Sequence, residues 1–99
     1  MKKIKGVLYY VNEEDIELLN KKPTKFWKGV KSIGDSAFNG CDTLKEIKIP
    51  NSVTKIGDYA FVGCSNLTDI KIPDSVMTIG NQSFKEVQEL EIREKKYSW

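Results

Sequence analysis

The stretch VKSIGDSAFNGCDTLKEIKIPNS, residues 30–52, is followed directly by VTKIGDYAFVGCSNLTDIKIPDS, residues 53–75. Eleven of the fourteen positions at which the copies agree set the pattern: Val30/Val53, Ile33/Ile56, Gly34/Gly57, Ala37/Ala60, Phe38/Phe61, Cys41/Cys64, Leu44/Leu67, Ile47/Ile70, Ile49/Ile72, Pro50/Pro73 and Ser52/Ser75. A chain that restates itself every 23 residues stacks one short unit on the next, because no single unit can bury its own apolar edge. A third copy starts on schedule with Val76, Ile79, Gly80, Ser83 and Phe84. It then reads three residues short, with Val87, Leu90 and Ile92 of VQELEI in the role of LTDIKI and the cysteine turn missing.

A period of 20–29 residues around an LxxIxI core marks a leucine-rich-repeat solenoid with one short parallel strand per coil. Ile47, Ile49, Ile70 and Ile72 alternate with charged residues, so the isoleucines face inward and the charges meet solvent. Pro50 and Pro73 stop the strand ladder, and Gly34, Gly57 and Gly80 allow positive φ where the chain turns back. GDSAFNGC and GDYAFVGC are expected as short helical or 3₁₀ turns on the convex face, with Phe38, Phe61 and Phe84 stacked in a column.

The pattern IPxSVxxIGxxAFxxCxxLxxIxI resembles the BspA-like leucine-rich repeats over residues 30–92, about two thirds of the chain. Ser52 and Ser75 depart from the broader repeat pattern, in which an asparagine often makes the internal ladder; their hydroxyls are expected to close that turn more weakly. The resemblance implies small buried side chains in the Cys41/Cys64 column. Those two cysteines lie on adjacent coils, about 5 Å apart by strand spacing and within disulfide range, and are read as two reduced core thiols.

A stack of coils needs a cover at each end. GVLYYV, NEED and IELLN read as strand, turn and strand, a hairpin whose Val7, Tyr9, Val11, Ile16 and Leu18 close the first coil. The chain therefore divides, within a single domain of residues 1–99, into a hairpin cap and linker (1–29), repeat 1 (30–52), repeat 2 (53–75), a shortened repeat 3 (76–92) and a tail (93–99). Phe26 and Trp27 are the expected plugs of the linker.

The sequence contains no histidine, which removes the usual general base and the usual zinc ligand. Two cysteines without histidine are too few for structural zinc, and no glycine-rich phosphate loop is present. Neither catalysis, nor a cofactor, nor a metal is expected. Sixteen basic residues against fourteen acidic ones leave a net charge of +2, so no direct nucleic-acid binding is expected. GVLYYV is too short for a signal-peptide core and runs into Glu13, Glu14 and Asp15, and no apolar run reaches membrane-spanning length, so a cytoplasmic, non-membrane location is expected. On that reading the sequons at Asn66 and Asn81 are chance matches.

The solvent face of the strands is the candidate binding surface, with Glu46, Asp69 and Glu89 expected in one column and Lys48, Lys71 and Glu91 in the next. Such rows either neutralise each other on a wet surface or read a complementary charged patch. Tyr59, Tyr97 and Trp99 are candidates for an aromatic edge, with Trp99 either a lid on the last coil or an anchor. The expected function is a small non-catalytic protein–protein interaction module, monomeric or weakly self-associating, with a protein partner of unknown identity. The alternatives are a stand-alone intracellular inhibitor from a phage or mobile element, blocking for example a bacterial defence nuclease, and a fragment of a surface adhesin. The latter follows from the resemblance, since BspA-like repeats usually belong to long surface proteins.

Overall fold

The computed structural model describes residues 1–87 and 91–93. Each repeat supplies two short strands rather than the single one expected. Strands β3 (Ser32–Ile33), β5 (Lys55–Ile56) and β7 (Thr78–Ile79) pair in parallel, as do β4 (Glu46–Lys48), β6 (Asp69–Lys71) and β8 (Glu91–Arg93). The additional strands escaped the sequence reading because two residues are too few to display an alternation.

The expected hairpin cap is displaced toward the N-terminus. Strands β1 (Lys2–Ile4) and β2 (Val7–Tyr9) pair antiparallel around Lys5 and Gly6, both at positive φ (50° and 83°), the backbone of a two-residue turn that suits hairpin twist. β2 then pairs in parallel with β3, placing Leu8 opposite Ile33, so the sheet order is β1-β2-β3-β5-β7. The inward residue of β2 is Leu8, fully buried, whereas Val7 and Tyr9 on the other face are half-buried.

NEED and IELLN form helix α1 (Glu13–Lys21) instead of a turn and a strand. Asn12 Oδ1 accepts the Asp15 amide at 3.0 Å and Asp15 Oδ2 accepts the Asn12 amide at 3.0 Å, a reciprocal cap that nucleates the helix. Glu13, Glu14 and Asp15 complement the positive end of its dipole. Ile16 and Leu19, three residues apart, turn to the core, with Leu18 half-buried beside them. Helix α2 (Pro23–Trp27) opens on a proline, whose missing amide is harmless at that position, and buries Phe26 and Trp27 as anticipated.

The phenylalanine column is present. Phe38 and Phe61 stack at 4.8 Å, Phe61 and Phe84 at 5.5 Å, and Phe26 continues the row 6.3 Å from Phe38 with Trp27 edge-on to it. Within the repeats, GDSAFNGC and GDYAFVGC form turns, neither helix nor 3₁₀ helix. Alternate amides point different ways: Ser36, Phe38 and Gly40 donate to the carbonyls of Asp58, Ala60 and Val62 on the next coil, while Ala37, Asn39 and Cys41 donate three residues back. Every second donor is thus committed to the neighbouring coil, and a continuous helix cannot form.

Gly34, Gly57 and Gly80 are conserved in the repeat for space rather than for positive φ. A Cβ on Gly57 would lie 2.5 Å from Asp35 Oδ1 and 2.7 Å from the Gly34 carbonyl carbon. The left-handed backbone falls instead on Ser36, Tyr59 and Gln82, and again on Gly40, Gly63 and Glu86. The coil-to-coil side-chain ladder is also carried by unexpected residues. Asp35 Oδ1 accepts the Asp58 amide and Asp58 Oδ1 accepts the Asn81 amide, each at 2.8 Å. Ser75 donates to the Val53 carbonyl at 2.8 Å, while Ser52 is exposed.

The third coil is shortened by one residue, not three. Val87 donates to Phe84 as Cys64 donates to Phe61, so Val87 takes the cysteine position at the full 23-residue spacing. Asp69 then pairs with Glu91, which places the loss between residues 87 and 91.

Candidate protein-interaction surface

The isoleucines of β4 and β6 set the geometry of this face. Ile47 and Ile70 are buried and paired, so Glu46 and Lys48 on either side of the first, and Asp69 and Lys71 on either side of the second, are turned the other way. Parallel register puts Glu46 opposite Asp69 and Lys48 opposite Lys71. One expected position changes: Glu91 pairs with Asp69 and belongs to the acidic column, and Arg93, which the sequence reading missed, pairs with Lys71 in the basic one. Glu89 lies outside the described residues. The rows are therefore Glu46, Asp69, Glu91 and Lys48, Lys71, Arg93, separated by sign along the whole register.

The cap walls one side of this face. Leu19, Asn20 and Pro23, at the junction of α1 and α2, close a groove of about 330 Å³ over Glu46, Ile47, Lys48, Asp69 and Lys71. Four of the six expected strand-face residues are thus brought together in one depression. An adjoining hollow of about 760 Å³ shares Asn20 and Glu46 and extends over Asp42, Thr43, Lys45, Asn66 and Thr68. There Thr43 Oγ1 donates to a Glu13 carboxylate oxygen, and Asn66 donates to the Asp42 carbonyl at 2.7 Å, tying α1 and the second repeat to the strand approach. None of the cap residues was legible as part of this surface, because their contribution depends on α1 being a helix.

A family model described as BspA type Leucine rich repeat region (6 copies) matches residues 17–96. The chain belongs to that leucine-rich-repeat family. No curated protein and no solved structure matches it. Leucine-rich-repeat domains generally mediate protein–protein interaction and are generally non-enzymatic. Among the described residues no group of three or more His, Cys, Asp or Glu side chains is placed to hold a metal ion, and no helix is long and apolar enough to cross a membrane.

The repeat's cysteine column is internal. Cys41 and Cys64 are free and buried; their thiols donate to the carbonyls of Val11 at 3.4 Å and Phe38 at 3.0 Å. Hydrogen bonding to Cys64 together with burial pushes the Cys41 thiol far above its ordinary range. Of the aromatic candidates, Tyr59 is 40% exposed on its turn, apart from the strand groove. Tyr97 and Trp99 lie outside the described residues. Tyr10, 73% exposed with the Lys2 ammonium 5.7 Å from its ring centre, is an exposed aromatic of the cap that the sequence did not single out.

Proposed function

We propose that this leucine-rich-repeat chain is a non-catalytic recognition module, a short solenoid that reads a complementary charged surface on a protein partner with its β4–β6–β8 face. The observation that carries this reading is the parallel register, which aligns Glu46, Asp69 and Glu91 beside Lys48, Lys71 and Arg93. A wet surface that only neutralises itself needs no such segregation. The two like-charged rows lie about 7 Å apart along the strands and present a dipolar pattern across the face. A partner of opposite pattern gains association rate and orientation from it.

The test is capture of a partner by the immobilised protein from nuclease-treated lysate, followed by affinity measurement with two double variants, Glu46→Lys/Asp69→Lys and Lys48→Glu/Lys71→Glu. Loss of about tenfold or more in affinity, at unchanged melting temperature, supports the strand face. Equal affinity for the wild type and both variants removes it.

A further inference from the structure

A second cationic surface lies on the cap. Between Leu18 and Gly34 the chain carries Lys21, Lys22, Lys25, Lys28 and Lys31 and no acidic residue. Four of these, Lys22, Lys25, Lys28 and Lys21, the last ion-paired with Glu17 at 2.8 Å, line with Pro23 and Thr24 an open depression of about 960 Å³ over α2, and all are exposed. The Lys3 ammonium donates to the carbonyls of Lys28 at 2.9 Å and Lys25 at 3.4 Å, adding a further cation behind the patch. Its pKa is lowered by desolvation and by the neighbouring Lys28, as crowded like charges require. Pro23 belongs both to this depression and to the groove over Lys48 and Lys71. The cap patch and the basic row of the strand face therefore meet at one residue.

We infer that Lys48 and Lys71 on the strands and Lys22 and Lys25 on the cap form one continuous cationic track, bending at Pro23, that takes an acidic segment of a protein partner. This inference rests on the proposed strand-face function and specifies the chemistry of the partner. Glutamate and aspartate side chains suit the track better than a nucleic acid does. The only arginine in the sequence is Arg93, so the cap offers point charges and no planar forks for bidentate phosphate contacts. Phe26 and Trp27 are buried, which leaves α2 no aromatic surface for base stacking. The acidic row lies about 7 Å from the basic one. A duplex with a charge every ~1.7 Å of its axis covers both rows and meets the carboxylates, whereas a single extended peptide follows one row. An anionic membrane fits less well, because α2 exposes lysine, threonine and proline and no leucine or aromatic side chain to enter the acyl boundary.

Fluorescence anisotropy with a fluorescein-labelled oligoglutamate peptide tests the track, with a DNA duplex and phosphatidylserine vesicles as competing probes. The expected result is saturable peptide binding that weakens as salt rises beyond about 0.1 M. Lys48→Glu/Lys71→Glu and Lys22→Glu/Lys25→Glu should each lower it about tenfold, and the neutral Lys22→Gln/Lys25→Gln should lower it less, all at unchanged circular dichroism. Absence of saturable binding, or tighter binding of the duplex or the vesicles than of the peptide, overturns the inference. An effect confined to the strand pair overturns the continuous track and leaves strand-face recognition standing; loss of that recognition is read separately, in the partner assay above.

Discussion

Phe38 and Phe61 lie face to face, 4.8 Å between ring centres and 11° from parallel, although 23 residues separate them in the chain. Phe61 is sandwiched, with Phe84 stacked on its other side at 5.5 Å, and no part of it reaches solvent. Truncation leaves two flat rings facing a void that neither can fill by rotation. Phe61→Ala is expected to lower stability by about 3–5 kcal/mol, a large fraction of the roughly 5–15 kcal/mol total of a typical domain. Urea denaturation followed by tryptophan fluorescence measures it. A folded variant with a loss below about 1 kcal/mol would place the core elsewhere.

Two glycines separate close approach from backbone conformation. A methyl group on Gly57 collides with Asp35 and the Gly34 backbone, whereas one on Gly40 meets nothing within 4 Å but must adopt a φ of +69°. Gly40→Ala is therefore expected to cost about 1–2 kcal/mol, the penalty of a left-handed L-residue. Gly57→Ala must push adjacent coils apart and also weaken the Asp58 amide bond to Asp35; its loss should exceed that of Gly40→Ala by more than about 1 kcal/mol. Thermal melts of the two variants side by side decide the matter, and equal losses would show that the coils separate freely.

How much of this was legible follows from the same residues. The phenylalanine stack and the inward isoleucines could be read because a fixed period makes Phe38, Phe61 and Phe84, or Ile47 and Ile70, equivalent without any knowledge of the path between them. Space around Gly57 could not be read, since the atoms that fill it belong to the previous coil. The α1 segment misled because IELL satisfies a strand alternation nearly as well as a helical one over so few residues; the deciding signal was the Asn12/Asp15 spacing, local chemistry rather than hydropathy. In the third coil Leu90-x-Ile92 imitates Ile70-x-Ile72. Pairing Ile92 with Ile70 instead moves Glu91 into the acidic row, brings Arg93 into the basic one, and makes the charge pattern uniform.

Cys41 and Cys64 provide a probe of opening. Both are almost wholly buried and donate to backbone carbonyls, and the Cys41 thiol is held in its protonated form by Cys64 and by burial. Only a thiolate that reagent can reach is alkylated. Iodoacetamide at about pH 8, below the ordinary thiol range, is expected to leave both residues unmodified in native protein and to label both in denaturant, read by mass spectrometry. Rapid labelling of the native protein at either site would show that the coils part without global unfolding.

Tyr59 carries a strain that its repeat position imposes. It stands where Ser36 and Gln82 stand in the other coils, at φ 56°, a conformation that bulky side chains adopt at a penalty and asparagine tolerates. The residue is 40% exposed, so its packing offsets the backbone term only in part. Tyr59→Asn is expected to stabilise by about 0.5–1 kcal/mol, a rise of a few degrees in melting temperature for a domain of this size. The same variant separates backbone strain from recognition. If Tyr59 serves a partner as an aromatic anchor, the variant melts higher yet binds the captured protein less tightly. If affinity is unchanged, recognition belongs to the charged rows alone. A lower melting temperature would mean that the ring's contacts outweigh the strain and that Tyr59 is a structural residue of its turn.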